Sequence, residues 1–214
     1  MDEGTQQQCP GENTPAIVLG AHKKEFILCA AIMTGLVYMY HGSISILPTY
    51  LQQFGTFDKG EIARLMIFAT TSSWLGMVLT GWLSQKIGRK KSIIIFCSAS
   101  MLVSIPLAGL VLQKDQWFEL FVIIFAFIVS TASGPIPAFF SERFPTTIRN
   151  SAAGFSYNAG LIFGSWSPLI ALSLMNSVSA EFVPVALGIN IMIGAIIVII
   201  PTILSRETKE IELN

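Results

Sequence analysis

His41 is the first residue whose chemistry suggests a function, because it lies inside a long apolar segment, in Tyr38-Met-Tyr-His-Gly-Ser-Ile-Ser45. Histidine can gain or lose a proton near neutral pH, and an ionisable side chain within a membrane segment predicts a functional site. Tyr38 and Ser45 lie at −3 and +4 from His41 and share its helical face. This pattern predicts a polar face that lines a cavity. A neutral histidine that is hydrogen bonded to a neighbouring helix is the alternative.

A dense group of cations could bind anions or pair with carboxylates. The stretch GWLSQKIGRKK, from Gly81 to Lys91, places four cations within six residues. It predicts no phosphate loop, because both the G-x-x-x-x-G-K-[ST] spacing and a preceding strand are missing. Gly81 and Gly88 instead predict a tight turn between two helices, where a missing side chain allows close backbone approach and positive φ.

Charges further along the chain could pair with this turn. The stretch FSERFPTTIR brings Glu142 and Arg149 to the end of another apolar segment. We expect Arg89, Glu142 and Arg149 to form charge-assisted hydrogen bonds when the helices pack together on that side. These bonds would be lost when the helices separate. Solvated interfacial charges with no switching role are the alternative.

Six apolar segments must position these residues. The chain is 52% hydrophobic and 12% charged, with a mean hydropathy of +0.64, whereas about a quarter of the residues in a soluble domain are charged. Each segment is close in length to the ~20 residues that a helix needs to cross a bilayer. None shows the alternation of polar and apolar residues that is typical of a spanning strand. The sequence therefore predicts an all-α membrane protein with six transmembrane helices. They are Phe26 to Leu51, Ile62 to Leu83, Ser92 to Leu112, Trp117 to Phe140, Ser151 to Leu174 and Phe182 to Leu204.

One six-helix transmembrane domain is predicted over residues 26–204, since the short connections make neighbouring helices antiparallel. Residues 1–25 are polar and begin with acidic residues, unlike a secretory signal, so they predict a cytoplasmic extension. Residues 205–214 predict a cytoplasmic tail. Ten of the thirteen cations lie on the side that holds both termini. The positive-inside rule then places both termini in the cytoplasm, and we expect a protein of the plasma membrane.

Several other classes of protein are disfavoured. Thirteen basic residues balance thirteen acidic ones, and this zero net charge indicates no nucleic-acid partner. Three cysteines, two of them in or near apolar helices, predict neither a disulfide framework nor a zinc site. Paired carboxylates, an activated nucleophile and a nucleotide-binding loop are all missing from the sequence. We therefore expect no cofactor and no enzyme activity.

Prolines and glycines predict helix geometry. Gly160-Leu-Ile-Phe-Gly164 is a small-x-x-x-small pattern, which predicts close approach of two helices. Pro135 and Pro137 predict a kink in the fourth span, because a proline leaves a backbone carbonyl without its helical partner. Pro48, Pro106 and Pro168 are further candidates for kinks.

Three motifs carry a resemblance to a known family. The first is G-x-L-[AS]-D-[RK]-x-G-R-[RK], with Gln85 in place of the aspartate and matches at Gly81, Leu83, Ser84, Lys86, Gly88, Arg89 and Lys90. The second is E-x-F-P-x-x-x-R, from Glu142 to Arg149, and the third is the tail Arg206-Glu-Thr-Lys209. In this order they resemble the C-terminal six-helix half of major facilitator superfamily transporters, in particular metabolite:proton symporters and sugar porters. Such a half is a 3+3 inverted repeat, and the resemblance implies that the N-terminal half is absent.

The resemblance also implies roles for individual residues. The family's cytoplasmic latch corresponds here to Gly81, Gly88, Arg89, Lys90, Glu142, Arg149 and Glu207. The first, second, fourth and fifth helices of a half face the central solute path in this family. This adds Trp74, Tyr157, Asn158 and Trp166 to the candidate path residues Tyr38, His41 and Ser45. For Trp74 and Trp166, ordinary packing is the favoured alternative.

The function implied by the resemblance is secondary active transport by alternating access. The solute would be small and polar, such as an organic acid, a sugar or an amino-acid derivative, and transport would be proton-coupled. Either His41 or a residue of the other half would carry the proton. The expected partners are the lipid bilayer, the solute, and a complementary six-helix half or a second copy of this chain. A non-transporting six-helix protein that associates with full-length relatives is the alternative.

Overall fold

The computed structural model describes residues 20–54, 57–110, 117–179 and 182–207. These residues form helices and contain no strand, which confirms the predicted all-α fold. The elements are α1 (Lys23–Tyr40), a π-helix (His41–Ser45), α2 (Leu47–Phe54), α3 (Lys59–Ile87), α4 (Arg89–Leu110), α5 (Phe118–Thr131), α6 (Ile136–Ser141), α7 (Arg149–Gly164), α8 (Ser167–Ser177) and α9 (Val183–Leu204). The predicted extension and tail, residues 1–25 and 205–214, lie mostly outside the described residues and stay predictions.

Among the residues that the structure describes, five segments are long and apolar enough to cross a membrane: Lys23–Gln53, Lys59–Ile87, Phe118–Ser141, Arg149–Ser177 and Val185–Leu204. They correspond to the first, second, fourth, fifth and sixth predicted spans. Helix α4 occupies the place of the third predicted span, whose last two residues lie outside the described ranges. All six predicted helices are therefore present in their predicted order.

Three spans are interrupted near prolines. The π-helix ends three residues before Pro48, and α5 and α6 are separated by a turn that contains Pro135. Helices α7 and α8 are separated just before Pro168. Proline supplies no N–H for the helical ladder, and its ring crowds the carbonyl four residues earlier. The prolines that predict kinks in the first, fourth and fifth spans thus lie at or next to interruptions of the helix, whereas α4 continues through Pro106.

The helices pack around α1, which contacts both α7 and α9, while α9 also contacts α4, and α3 packs along α5. Glycines allow the closest approaches. A side chain at Gly160 would meet the Ala30 carbonyl of α1, and one at Gly164 would meet the Thr34 carbonyl. The predicted close approach at this small-x-x-x-small pattern is therefore confirmed. It packs α7 against α1, the helix that directly precedes His41.

Candidate functional site

A cavity of about 290 Å³ lies between the helices, away from the loops at both ends. Its walls come from the first, second, fourth and fifth spans, the four that the resemblance assigns to a central path. The lining side chains are Met33, Leu36, Val37, Tyr40, His41, Met77, Ser133, Ile136, Pro137, Tyr157 and Leu161. This lining contains no Asp, Glu, Lys or Arg within the described part of the chain. The cavity is therefore a mostly apolar space with four polar side chains.

His41 occupies the first position of the π-helix and faces this cavity. Its Nδ1 lies 3.0 Å from the hydroxyl oxygen of Ser45, and which of the two atoms donates depends on the tautomer. The ring of Tyr40 meets the His41 ring edge-on, with 5.7 Å between the ring centroids. The hydrogen bond and the ring contact together orient the imidazole at the cavity wall.

The other candidate path residues are placed differently. Tyr157 lines the cavity opposite His41, whereas Tyr38 is buried outside the lining, which Val37 joins instead. Asn158 is exposed, and its side-chain N–H donates to the Gly154 carbonyl of its own helix at 2.8 Å. The structure thus brings together His41, its partner Ser45, and Tyr157.

Two further candidates, Trp74 and Trp166, are exposed side chains that do not line the cavity. Both side chains lie at the surface of the part of the chain that the structure describes. Their assignment to the solute path stays a prediction.

A second polar site lies where α3 meets α4. Arg89 donates from Nη1 to the Ser84 hydroxyl at 2.7 Å, and from Nη2 and Nε to Glu142 Oε1 at 3.3 and 3.4 Å. Both charged side chains are largely buried, and the second carboxylate oxygen of Glu142 is buried without a hydrogen-bond partner. This ion pair joins the second and third spans to the end of the fourth, as a latch would require.

Arg149 lies apart from this pair. Its Nε donates to the Phe144 carbonyl at 3.4 Å, and among the described residues it makes no hydrogen bond to Arg89 or Glu142. The structure therefore brings together two of the three charges that the sequence groups.

Lys90 and Glu207 connect the last helix, α9, to the end of the bundle that contains the Arg89–Glu142 pair. Lys90 Nζ donates to the carbonyls of Ile203 and Ser205, at 2.6 and 2.9 Å. A cation at the C-terminus of a helix stabilises these last carbonyls, which have no helical partners. The Lys90 backbone N–H also donates to Glu207 Oε1 at 3.4 Å.

The two glycines of the basic stretch have different roles. Gly88 caps α3 with φ 107°, a conformation that glycine adopts without strain, and it faces the Glu207 carboxylate. Gly81, in contrast, lies inside α3 and its φ is not positive. The prediction that both glycines bracket the turn is therefore wrong for Gly81, because α3 continues to Ile87, beyond the predicted end at Leu83. The close approach of α3 to the fourth span depends instead on Gly134, where a Cβ would overlap the Met77 carbonyl, whereas a Cβ at Gly81 would make only ordinary contact with the Gly134 backbone.

Arg143 is a residue that the sequence patterns did not single out. Its Nη1 donates to Glu25 Oε2 at 2.6 Å, its Nη2 donates to the Arg206 carbonyl at 2.6 Å, and its guanidinium lies 4.2 Å from the centroid of the Phe139 ring. The side chain is almost completely buried. It thus connects the start of α1, the end of the fourth span and the segment after α9. The sequence feature that could have identified Arg143 is its position at the end of the fourth span, between Glu142 and Phe144. A cation in this position that has no partner close to it in the sequence needs a partner from a distant segment.

In the ranges that the structure describes, no three His, Cys, Asp or Glu side chains come together as metal ligands would. The contacts of the candidate residues are hydrogen bonding at the cavity and ion pairing at one end of the bundle.

Comparison with known proteins agrees with this architecture. A family model described as Major Facilitator Superfamily matches residues 5–168. The cis,cis-muconate transport protein of Acinetobacter baylyi is 27% identical over 88% of this chain and 44% of its own length. The inner membrane metabolite transport protein YhjE of Escherichia coli is 25% identical over 90% and 44%. The sialic acid transporter NanX of Escherichia coli is 28% identical over 59% and 31%. The chain spans about half the length or less of these relatives.

Proposed function

This chain belongs to the Major Facilitator Superfamily and is an integral membrane protein, and from that premise we propose that it forms one six-helix half of a secondary active transporter. The family that the three motifs predicted is thereby confirmed. The relatives are transport proteins, so the prediction that the chain is not an enzyme is also confirmed.

The observation that carries this proposal is the cavity around His41. It lies among four spans, it is largely apolar, and its polar side chains are concentrated at Tyr40, His41, Ser133 and Tyr157. A second half, or a second copy of this chain, would close the open side of the cavity over a bound solute. Alternating access then requires the charged end of the bundle to open and close.

The cavity favours a small organic acid as the solute. Its apolar walls would leave most hydroxyl groups of a sugar without hydrogen-bond partners, which is costly, whereas protonated His41 could pair with a carboxylate. One of the relatives is named for the transport of an organic acid, cis,cis-muconate. His41 is then the group through which proton and solute binding would be coupled.

Uptake into proteoliposomes tests this function, with a small organic acid and an imposed proton gradient. A hydrogen bond to a charged group is worth about 1.5–3 kcal/mol, so we expect His41→Gln to weaken solute binding about tenfold or more. His22→Gln is the matched control, since the chain has two histidines and His22 lies at the helix end, against the ring of Phe144.

The chain should be assayed alone and together with a complementary six-helix half. If neither preparation takes up any solute, the non-transporting alternative is favoured. If both transport but His41→Gln has no effect, the proposed role of His41 is wrong.

We propose that the termini face the cytoplasm of a plasma-membrane protein. The contacts of Arg143 and Lys90 bring Glu25, in the first turn of α1, and Ser205 and Arg206, after α9, to the same end as the α3–α4 turn. In a chain with Cys9 replaced by serine, a cysteine introduced at Lys91 reports on one end of the bundle, and a cysteine introduced at Lys59 reports on the other. Both positions are exposed, whereas the remaining Cys29 and Cys97 are buried. In intact cells an impermeant reagent is expected to label the cysteine at Lys59. Labelling at Lys91 instead would reverse the topology.

We also propose that the Arg89–Glu142 pair biases the equilibrium between inward-open and outward-open forms. Arg89→Ala is expected to shift this equilibrium by about 1 kcal/mol, because the pair joins spans that separate when this end opens. Distances between spin labels on the two faces would measure the shift. Lys91→Ala is the control, since it removes an exposed cation from the same turn. Identical distance distributions for both variants would show that the Arg89–Glu142 pair has no switching role.

A further inference from the structure

Behind His41, on the side away from the cavity, lies a buried polar contact between two distant segments. Asn190 of α9 is completely buried, and its side-chain Nδ2 donates to the backbone carbonyl of Gly42 at 3.1 Å. Gly42 follows His41 directly in the π-helix. The contact therefore joins the sixth span to the backbone that carries the cavity histidine.

The π-helix lies where the regular helical ladder is interrupted. A π-helical turn is rare, and it often occurs at functional sites. Pro48 disturbs the regular ladder here, because it has no N–H to offer the carbonyl of Ile44. In a bilayer the backbone groups of such a turn must find partners within the protein. Asn190 supplies a donor from a neighbouring helix.

The geometry at Gly42 is specific for this contact. A Cβ atom at Gly42 would overlap the Asn190 amide nitrogen. Only a residue without a side chain lets the amide reach the turn. Ser167 lies on the same side, and its hydroxyl is buried without a hydrogen-bond partner in the described structure. This hydroxyl therefore contributes no hydrogen bond to the turn.

We propose that Asn190 is a positioning residue for His41, which deepens the proposed function and rests on it. The Asn190 amide holds the Gly42 carbonyl, which lies directly after His41 in the chain. Without this donor the buried Gly42 carbonyl would turn toward another partner, and the backbone that carries the imidazole would move with it. The His41 ring would then change its position relative to Tyr40 and Ser45.

The test reads the His41 ring directly. With two histidines in the chain, ¹⁵N-histidine labelling in nanodiscs gives two sets of ring signals, and His22→Gln assigns them. Asn190→Leu removes the donor at similar volume, and we expect the His41 Nδ1 signal to shift or to split between tautomers. The His22 signals should stay unchanged, which shows that the chain is folded. Ser167→Ala, which removes a hydroxyl from the same buried cluster, should leave the His41 spectrum as it is in the unmodified chain.

Gly42→Ala changes the other residue of the contact, because the added methyl group displaces the Asn190 amide. It should change the His41 signals as Asn190→Leu does, and the double variant should change them no further. If Asn190→Leu does not fold, Gly42→Ala decides. An unchanged His41 spectrum in the folded variants would overturn the proposal. Altered His41 signals in a chain that transports nothing would leave the positioning role intact and refute the transport function.

Discussion

Replacing Glu25 by alanine is expected to destabilise the folded chain by about 3 kcal/mol. Glu25 accepts a 2.6 Å hydrogen bond from Arg143, whose side chain is 2% exposed. Without Glu25 the guanidinium still contacts the Arg206 carbonyl and the Phe139 ring, but neither carries a compensating negative charge. The cost is large because water cannot reach the buried charge to replace the carboxylate.

Glu119→Ala is the matched control at the opposite end of the bundle. Glu119 pairs with Arg64 at 2.5 Å, nearly the same distance, but the two side chains are 48% and 59% exposed. Water can solvate Arg64 once its partner is removed, so the expected loss is below about 1 kcal/mol. The two variants remove the same type of side chain and differ chiefly in burial.

Denaturant titrations in detergent would give the free energy of unfolding for both variants. Adding Arg143→Leu to Glu25→Ala should recover most of the loss, since it removes the uncompensated charge and fills the space with an apolar side chain. Equal losses for Glu25→Ala and Glu119→Ala would show that burial of Arg143 does not determine the strength of its ion pair.

Hydropathy was sufficient to predict the helices, because crossing a bilayer imposes a local requirement on length and composition. The Arg89–Glu142 contact was also predictable, since both residues lie at helix ends that antiparallel packing brings to the same side. The membership of the family followed from motifs at those same ends. Each of these features depends on where a residue lies along a helix axis.

Features that depend on rotation about a helix axis were not predictable. Tyr38 and Val37 are neighbours in the sequence, yet Val37 lines the cavity and Tyr38 does not. The π-helix at His41 also changes the helical periodicity from which residues are assigned to one face of a helix. The sequence around His41 did not by itself predict a π-helix.

Two other long-range contacts, unlike the Arg89–Glu142 pair, were not predictable from the sequence. Arg143 and Glu25 are 118 residues apart, and Asn190 and Gly42 are 148 residues apart. Which of several polar residues meet depends on the packing of whole helices, so only the tertiary structure pairs them.

Gly160→Ala is expected to destabilise the chain by about 2 kcal/mol, because α1 and α7 touch at this position. A Cβ at Gly160 would lie too close to Met33 Cβ and to the Ala30 carbonyl. These atoms belong to the backbone or lie next to it, so α1 can make room only by moving as a unit. Met33 also lines the cavity, and the displacement should therefore reach the candidate solute site.

Gly154→Ala on the same helix is the control. A Cβ at Gly154 would meet nothing within 4 Å, and alanine is favoured over glycine in a helix by about 0.5–1 kcal/mol. Stability should therefore stay the same or rise. Free energies of unfolding in detergent would measure both variants, and spin labels on α1 and α7 would show the helices separating in Gly160→Ala alone. If the two alanine variants were equally stable, the contact between α1 and α7 would not depend on the missing side chain, and the close approach at Gly160 would be tolerant of a methyl group.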